Sequence, residues 1–218
     1  MQRSALSAIA DFYRERPLPP VLPGSLKVVE IGCGTGRFST YLRDSIKVVT
    51  GQPALSRWEL SLVDLSPFYL EKARKNHNAY ESFNRKLRQG RRRRTGDVET
   101  NVKYILGNGE DLPQLSKGSF DIVVCMYCFH EMPEEARRRV AKTMTRLAKK
   151  GGLIVFTDSV QIGDRPLLDD SIGAFKDFDE PYYDTYIRED IGGMFADAGA
   201  KRMNKYLSSV TKTLSFTK

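Results

Sequence analysis

The stretch that most limits the fold is "LKVVEIGCGTGRF", Leu26–Phe38. A short β-branched apolar run passes into three glycines at alternate positions and then into a helix-compatible stretch. Bounded by Pro23-Gly24 and the glycine loop, the run reads as a central strand buried on both faces. The same alternation recurs along the chain. "WELSLVDLS" (58–66), "VKYILGN" (102–108), "SFDIVVCMY" (119–127) and "GGLIVFTDS" (151–159) read as further strands. "SPFYLEKARKNHNAYESFNRKL" opens a helix, with Ser66 at the N-cap and Pro67 at the first helical position. "PEEARRRVAKTMTRLAKKGG" is the clearest helix, because Ala136, Val140, Met144 and Leu147 recur on one face. A last helix is expected over 188–199, followed by two runs, "KRMNKYLSS" and "TKTLSFTK", that form an antiparallel closing pair. Strands alternating with helices pair in parallel through right-handed crossovers, which gives a doubly wound α/β sheet. The stretches 45–57 and 85–100 read as loop insertions.

Composition narrows the class. The 218 residues suffice for one substantial core, and the mix of 40% hydrophobic and 28% charged residues is that of a globular protein. No apolar run is long enough to span a bilayer. The N-terminus, "MQRSALSAIADFYRE", lacks the apolar core of a secretory signal. The expected location is the cytoplasm, or an organelle such as the plastid if a transit peptide has been removed. Three cysteines, Cys33, Cys125 and Cys128, argue against a disulfide framework. The CxxC pair Cys125–Cys128 has no second pair to complete a zinc site, so no metal is expected and both read as small, apolar-like residues.

The net charge of +8 is local. The segment "RKLRQGRRRR", Arg85–Arg94, carries seven basic residues and no acid, and without it the balance is +1. Such a block either binds a nucleic acid or an anionic surface, or forms a solvated, poorly ordered loop. The second reading is favoured, since no aromatic residues interleave the arginines for base stacking. The sequence is silent on oligomeric state.

In a doubly wound sheet a ligand binds beyond the C-terminal strand ends, and a glycine loop there lets backbone amides approach it. The spacing here is Gly32, Gly34 and Gly36, a GxGxG pattern. Arg37 stands where a dinucleotide fingerprint needs its third glycine, and no Gly-Lys-Ser/Thr follows for a phosphate loop. "VVEIGCGTGRFS" resembles instead the first motif of class I S-adenosylmethionine-dependent methyltransferases. "LVDLSPFYLEKAR", "ILGNGEDLP", "FDIVVCMYCFHEMP" and "LAKKGGLIVFTDS" resemble the second to fifth motifs, in the family's order, over about residues 26–160. Within that family the chain looks most like the small-molecule branch that includes ubiquinone- and menaquinone-type C-methyltransferases.

The resemblance implies a mostly parallel, seven-stranded, Rossmann-like sheet with an antiparallel last strand. It implies a single domain over 1–218: an N-terminal helical cap (1–25), a cofactor-binding core (26–160), and substrate-side helices with the closing pair (161–218). It also implies S-adenosyl-L-methionine as methyl donor and S-adenosyl-L-homocysteine as product. Gly32, Cys33, Gly34 and Gly36 would pass beneath the nucleoside, with Glu30 at its amino-acid end. Asp64 would accept the ribose hydroxyls and Leu65 would cover one adenine face. Asn108 stands where the family usually has an acid for the adenine amino group; its amide oxygen accepts there, or Glu110 helps, while the Gly109 backbone meets the ring. Met126 joins this set. Phe12 and Tyr13 are expected to close over the cofactor.

The activated methyl needs mainly alignment, and a base only if the acceptor carries a proton. The candidates follow the fourth strand: Tyr127, His130 and Glu131. His130 has the side chain suited to a base near neutrality, and a purely structural role stands beside that reading. "HEMPEE" is not the HExxH zinc motif. His77 reads as a solvated surface residue. Phe129, Asp158, Tyr182, Tyr183 and Tyr186 are candidates for a substrate wall, with ordinary core-rim packing as the alternative for the tyrosines. The expected function is methyl transfer to a small-molecule nucleophile by in-line displacement. The alternatives are an RNA methyltransferase guided by Arg85–Arg94 and a non-catalytic cofactor-binding homologue, the latter favoured only by Asn108.

Overall fold

The computed structural model describes residues 2–18, 25–51, 57–88, 99–174 and 180–218. Its sheet comprises β1 (Leu26–Ile31), β2 (Arg57–Asp64), β3 (Glu99–Leu106), β4 (Phe120–Met126), β5 (Ala148–Ser159), β6 (Lys201–Ser208) and β7 (Thr211–Thr217). The spatial order is β3-β2-β1-β4-β5-β7-β6. The first five strands pair in parallel, and β7 runs antiparallel to both β5 and β6. This is the seven-stranded doubly wound sheet that the sequence implies. Strand order reverses between β1 and β4, which opens a crevice at their C-terminal ends.

Seven helices accompany the sheet among the described residues: α1 (Gln2–Glu15), α2 (Arg37–Val49), α3 (Pro67–Arg88), α4 (Glu134–Leu147), α5 (Asp169–Ala174), α6 (Tyr183–Tyr186) and α7 (Ile191–Asp197). Both faces of the sheet are covered, and side chains alternate between them as the two-residue strand period demands. Val28, Leu60, Leu62, Ile122 and Val124 face a core shared with α1 and α2. Val29, Ile31, Val63, Val123 and Cys125 face the opposite core, where the α4 stripe Val140, Met144 and Leu147 is fully buried. Ser66 accepts a hydrogen bond from the Tyr69 amide at 3.3 Å and so starts α3.

Several expectations change. The insertion read over 45–57 begins too early: α2 continues to Val49, Gly51 closes a turn, and residues 52–56 lie outside the described ones. Its amphipathic spacing carries Ile46 and Val49 into the core, which favours one more helical turn. The basic block divides. Arg85–Arg88 continue the backbone of α3, residues 89–98 lie outside the described ones, and β3 already begins at Glu99. His77 is a correction of another kind. It is buried, and its Nε2 shares a 2.9 Å hydrogen bond with the Ser39 hydroxyl beneath the glycine loop.

Among the described residues no helix is long and apolar enough to cross a membrane.

Candidate functional site

A cavity of about 700 Å³ opens at the C-terminal ends of β1, β2 and β4, at the reversal of strand order. The chain reaches it from β1 through a loop of unusual backbone. Gly34 has φ +51 and nothing within 4 Å of where a Cβ would stand, so its backbone faces open space. Its amide donates to Asp64 Oδ2 at 2.8 Å. Gly36 also has positive φ, +72, but its missing side chain faces His77 and Ala73 of α3 instead of the cavity. Gly36 therefore lets α2 dock on α3 and does not line the wall. A Cβ on Gly32 would fall 2.3 Å from Cys128 Sγ, so that thiol occupies the space a side chain would need.

Glu30 sits at the floor. It lines the cavity, is almost wholly buried, and its Oε2 finds no hydrogen-bond partner among the described residues. Burial pushes its carboxyl up to about 8 against the hydrogen bonds from Ser39, and the neighbouring Asp64 charge adds to the rise. A buried carboxyl oxygen left without a donor is costly unless a ligand supplies one. A cationic amino head on the ligand meets that need. Asp64 ends β2, with Oδ2 on the Gly34 amide and Oδ1 on the Ser66 amide at 2.9 Å. It therefore also stabilises the entry to α3 through the backbone. Each oxygen keeps a further lone pair for a hydroxyl. Leu65 lies at the mouth of the cavity, largely exposed.

On the far wall, the Asn108 side chain turns back on its own loop. Its Oδ1 accepts from the Glu110 amide at 3.0 Å and its Nδ2 donates to Glu110 Oε1 at 3.2 Å. Glu110 is paired with Arg139 of α4, and that hydrogen bond, with the one from Asn108, holds its carboxyl below the usual range. Gly109 lies so close to Ile31 that a Cβ would come within 2.7 Å of its Cγ2.

Ten of the eleven cofactor candidates line this one cavity: Glu30, Gly32, Cys33, Gly34, Asp64, Leu65, Asn108, Gly109, Glu110 and Met126. Gly36 is the exception. Tyr127 and Glu131 line it as well. Tyr127 adopts a left-handed backbone, φ 53, and its hydroxyl shares a 2.5 Å hydrogen bond with Thr211 Oγ1 at the start of β7. His130 does not line the cavity. It stands one residue behind Glu131, with Nδ1 2.6 Å from Asp158 Oδ1.

The substrate-wall candidates fall elsewhere. Phe129 is fully buried, stacked 9° from parallel on Phe195 and edge-on to Phe156, so its ring is a core element. Asp158 is wholly excluded from solvent and turned to the β4–α4 turn. Tyr186 is buried and its hydroxyl donates to the Ser159 carbonyl at 2.6 Å. Tyr183 is buried beside it, and Tyr182 is exposed. None of the five lines the cavity. Phe12 and Tyr13 do not line it either. Tyr13 packs into the core under α1, and Gln2 is the residue of that helix that reaches the cavity. Further lining residues escaped the sequence reading, Cys128, Tyr69 and Arg139 among them. Tyr69 stands in the first turn of α3, which directly follows Leu65 and the cap Ser66, and Arg139 lies one helical turn beyond Ala136. In both cases the signal was proximity to a recognised motif.

A methyltransferase-domain family profile matches residues 29–156, more than half of the chain. The chain belongs to that family. No curated protein matches the chain. Its fold is similar to that of an O-methyltransferase family protein from Burkholderia thailandensis, with 15% identity and a TM-score of 0.66, covering 99% of this chain and 55% of that one. A putative O-methyltransferase from Nostoc punctiforme gives 17% identity and a TM-score of 0.64, covering 99% and 56%. The magnesium protoporphyrin IX methyltransferase of Synechocystis, solved with bound S-adenosylhomocysteine, gives 15% and 0.59, covering 100% and 82%. The chain thus spans little more than half the length of the first two. The residues lining the methyltransferase cavity fit the cofactor: an unpartnered buried carboxyl for an ammonium, an exposed backbone loop, and a carboxylate for a diol.

Proposed function

We propose that this methyltransferase moves the methyl group to a small-molecule nucleophile by in-line displacement, in a manner similar to the small-molecule branch of the family. The observation that carries the reading is the orphaned Glu30 oxygen, buried in a cavity whose walls include bare glycine backbone and the Asp64 carboxylate. Glu30 would hold the cofactor's ammonium, Asp64 its ribose hydroxyls and Leu65 one adenine face, with Asn108, Gly109 and Glu110 around the ring. When bound, the cofactor supplies a methyl group on a positively charged sulfur. The chain's own work is then to orient and desolvate the acceptor. Tyr127 and Glu131 stand on the cavity wall at the end of β4, with His130 behind them as the candidate base. The enclosing shape suits a small acceptor, and the compartment proposed for the chain is the cytoplasm or a plastid.

The test is radiolabelled methyl transfer from S-adenosylmethionine into a metabolite extract and, separately, into total RNA. Label in an organic-soluble or small polar product supports the proposal. Label confined to RNA, lost on replacing the basic block by glutamines, would transfer the assignment to the RNA alternative.

A further inference from the structure

Asp158 closes β5 and is fully buried, yet four N–H groups converge on its carboxylate. Oδ2 accepts from the Phe129 amide at 2.9 Å and the His130 amide at 3.4 Å. Oδ1 accepts from the Ser159 amide at 2.7 Å and meets His130 Nδ1 at 2.6 Å. One side chain therefore fixes both the short 3-10 turn Phe129–Glu131 and the imidazole it carries. The stacked Phe129 and Phe195 rings stiffen the same turn from below. Tyr183 and Tyr186 stand edge-on to the imidazole at 6.5 and 6.1 Å and limit its rotation.

This geometry decides a tautomer. A carboxylate only accepts, so Nδ1 must carry the ring proton and Nε2 is left with the lone pair. Nε2 lies 3.7 Å from Glu131 Oε1, and Glu131 is a cavity-wall residue with a 72% exposed side chain. The basic nitrogen thus faces the side chain of a residue on the cavity wall.

We propose that Asp158 is a positioning residue that holds His130 with Nε2 free to receive a proton, and that the acceptor is a neutral hydroxyl or amine that loses a proton as it is methylated. The inference rests on the small-molecule methyltransferase reading above. In the step, the acceptor's lone pair forms the new bond to the methyl carbon as the carbon–sulfur bond breaks, and that bonding pair stays on sulfur as a neutral thioether. The acceptor's proton passes to Nε2, and the imidazolium is stabilised by Asp158 until it releases the proton to solvent past Glu131.

The charges around the ring agree with this role. Asp158 of β5, Glu131 of the turn and Glu180 ahead of α6 face it, together with the neutral Tyr183 and Tyr186. Arg137 of α4, Lys212 of β7 and Tyr127 act on Asp158 from its other sides. Burial lowers the imidazole's proton affinity, the Asp158 hydrogen bond and the acidic neighbours raise it, and the balance lies above the ordinary histidine value.

The chain has two histidines, so imidazole nitrogen NMR resolves them without a substrate. Buried His77, pushed below the usual histidine range by its desolvation, is the internal reference. The expected wild-type result is an Nδ1–H tautomer for His130, with a midpoint above that of free histidine. Asp158→Asn should mix the tautomers and lower the midpoint. An Nε2–H tautomer in the wild type, which needs no variant to fold, would overturn the proposal, as would an unmoved midpoint in a folded Asp158→Asn. So would full turnover of His130→Gln on an acceptor found by the labelling screen. Calorimetric binding of S-adenosylhomocysteine separates the two readings. Its absence in the wild type removes the methyltransferase reading as well, whereas binding retained with the wrong tautomer removes only the role of Asp158.

Discussion

Glu30 is set against the fold, as the ammonium-binding role proposed for it requires. Its carboxyl is raised from about 4.5 to about 8. Between those values the folded protein holds a proton that the unfolded chain has lost, so this group makes the free protein less stable as pH rises through that window. Glu30→Gln should therefore raise the melting temperature of the free protein at pH 8, by several degrees, while weakening product binding by at least tenfold. Unchanged affinity in the variant, measured by calorimetry, would contradict the assignment. Ligand binding has the opposite sign. An ammonium favours the ionised carboxyl, so product affinity should increase by up to about tenfold per unit from pH 6 towards 8, with a proton released on binding. Calorimetry in buffers of different ionisation enthalpy reads that proton directly.

Residues were unevenly legible. The glycine loop and Asp64 were visible because backbone approach and a strand-end carboxylate leave a spacing in the sequence. The isolation of Glu30 was not, since it depends on which neighbours fail to reach it. His77 was misread although the signal was present: Leu70, Ala73 and His77 follow the three-then-four spacing of a buried helix face. Phe129 and Asp158 sit in or beside a motif that reads as a site. Their burial follows from α7 packing against the turn, through Phe195, and no local pattern encodes that contact.

At the scale of elements, α4 links site and core. Its inner stripe is fully buried, and Met144→Ala should cost about 2–5 kcal/mol by leaving a cavity. The same helix carries the buried Arg137, paired with Glu189 at 2.9 Å and donating to Thr185 at 2.6 Å, which fastens α4 to the α6–α7 segment. Glu189→Gln leaves that cation without its countercharge and should cost about 3–5 kcal/mol in chemical denaturation. A loss below 1 kcal/mol would mean that the segment is not fastened there. Strands and the stripe of α4 were legible from periodicity, because a two-residue and a 3.6-residue repeat are local properties. The limits of α2 and β3 were not, since helix and strand ends are set by the partners they meet.

At the scale of the molecule, the order of strands creates the crevice, and the crevice gives meaning to residues far apart in sequence. Glu30, Asp64, Asn108 and Tyr127 end four different strands, or follow them, and meet only because β1, β2, β3 and β4 run parallel. The family's motif order made this arrangement readable in advance, whereas the enclosing role of Gln2 and Arg139 required the packed helices. The excess positive charge resides in one stretch of the sequence, Arg85–Arg94, so replacing its arginines by glutamine should leave small-molecule turnover unchanged. A steep loss of turnover, dependent on salt, would show that the segment guides the substrate.

The most direct measurement is calorimetric titration of S-adenosylhomocysteine into the wild-type protein and into Gly34→Val. The account predicts saturable one-to-one binding by the wild type and none by the variant, whose branched side chain would enter the cavity from a backbone it cannot comfortably adopt. Equal affinity in the two proteins, or no binding by the wild type, would contradict it.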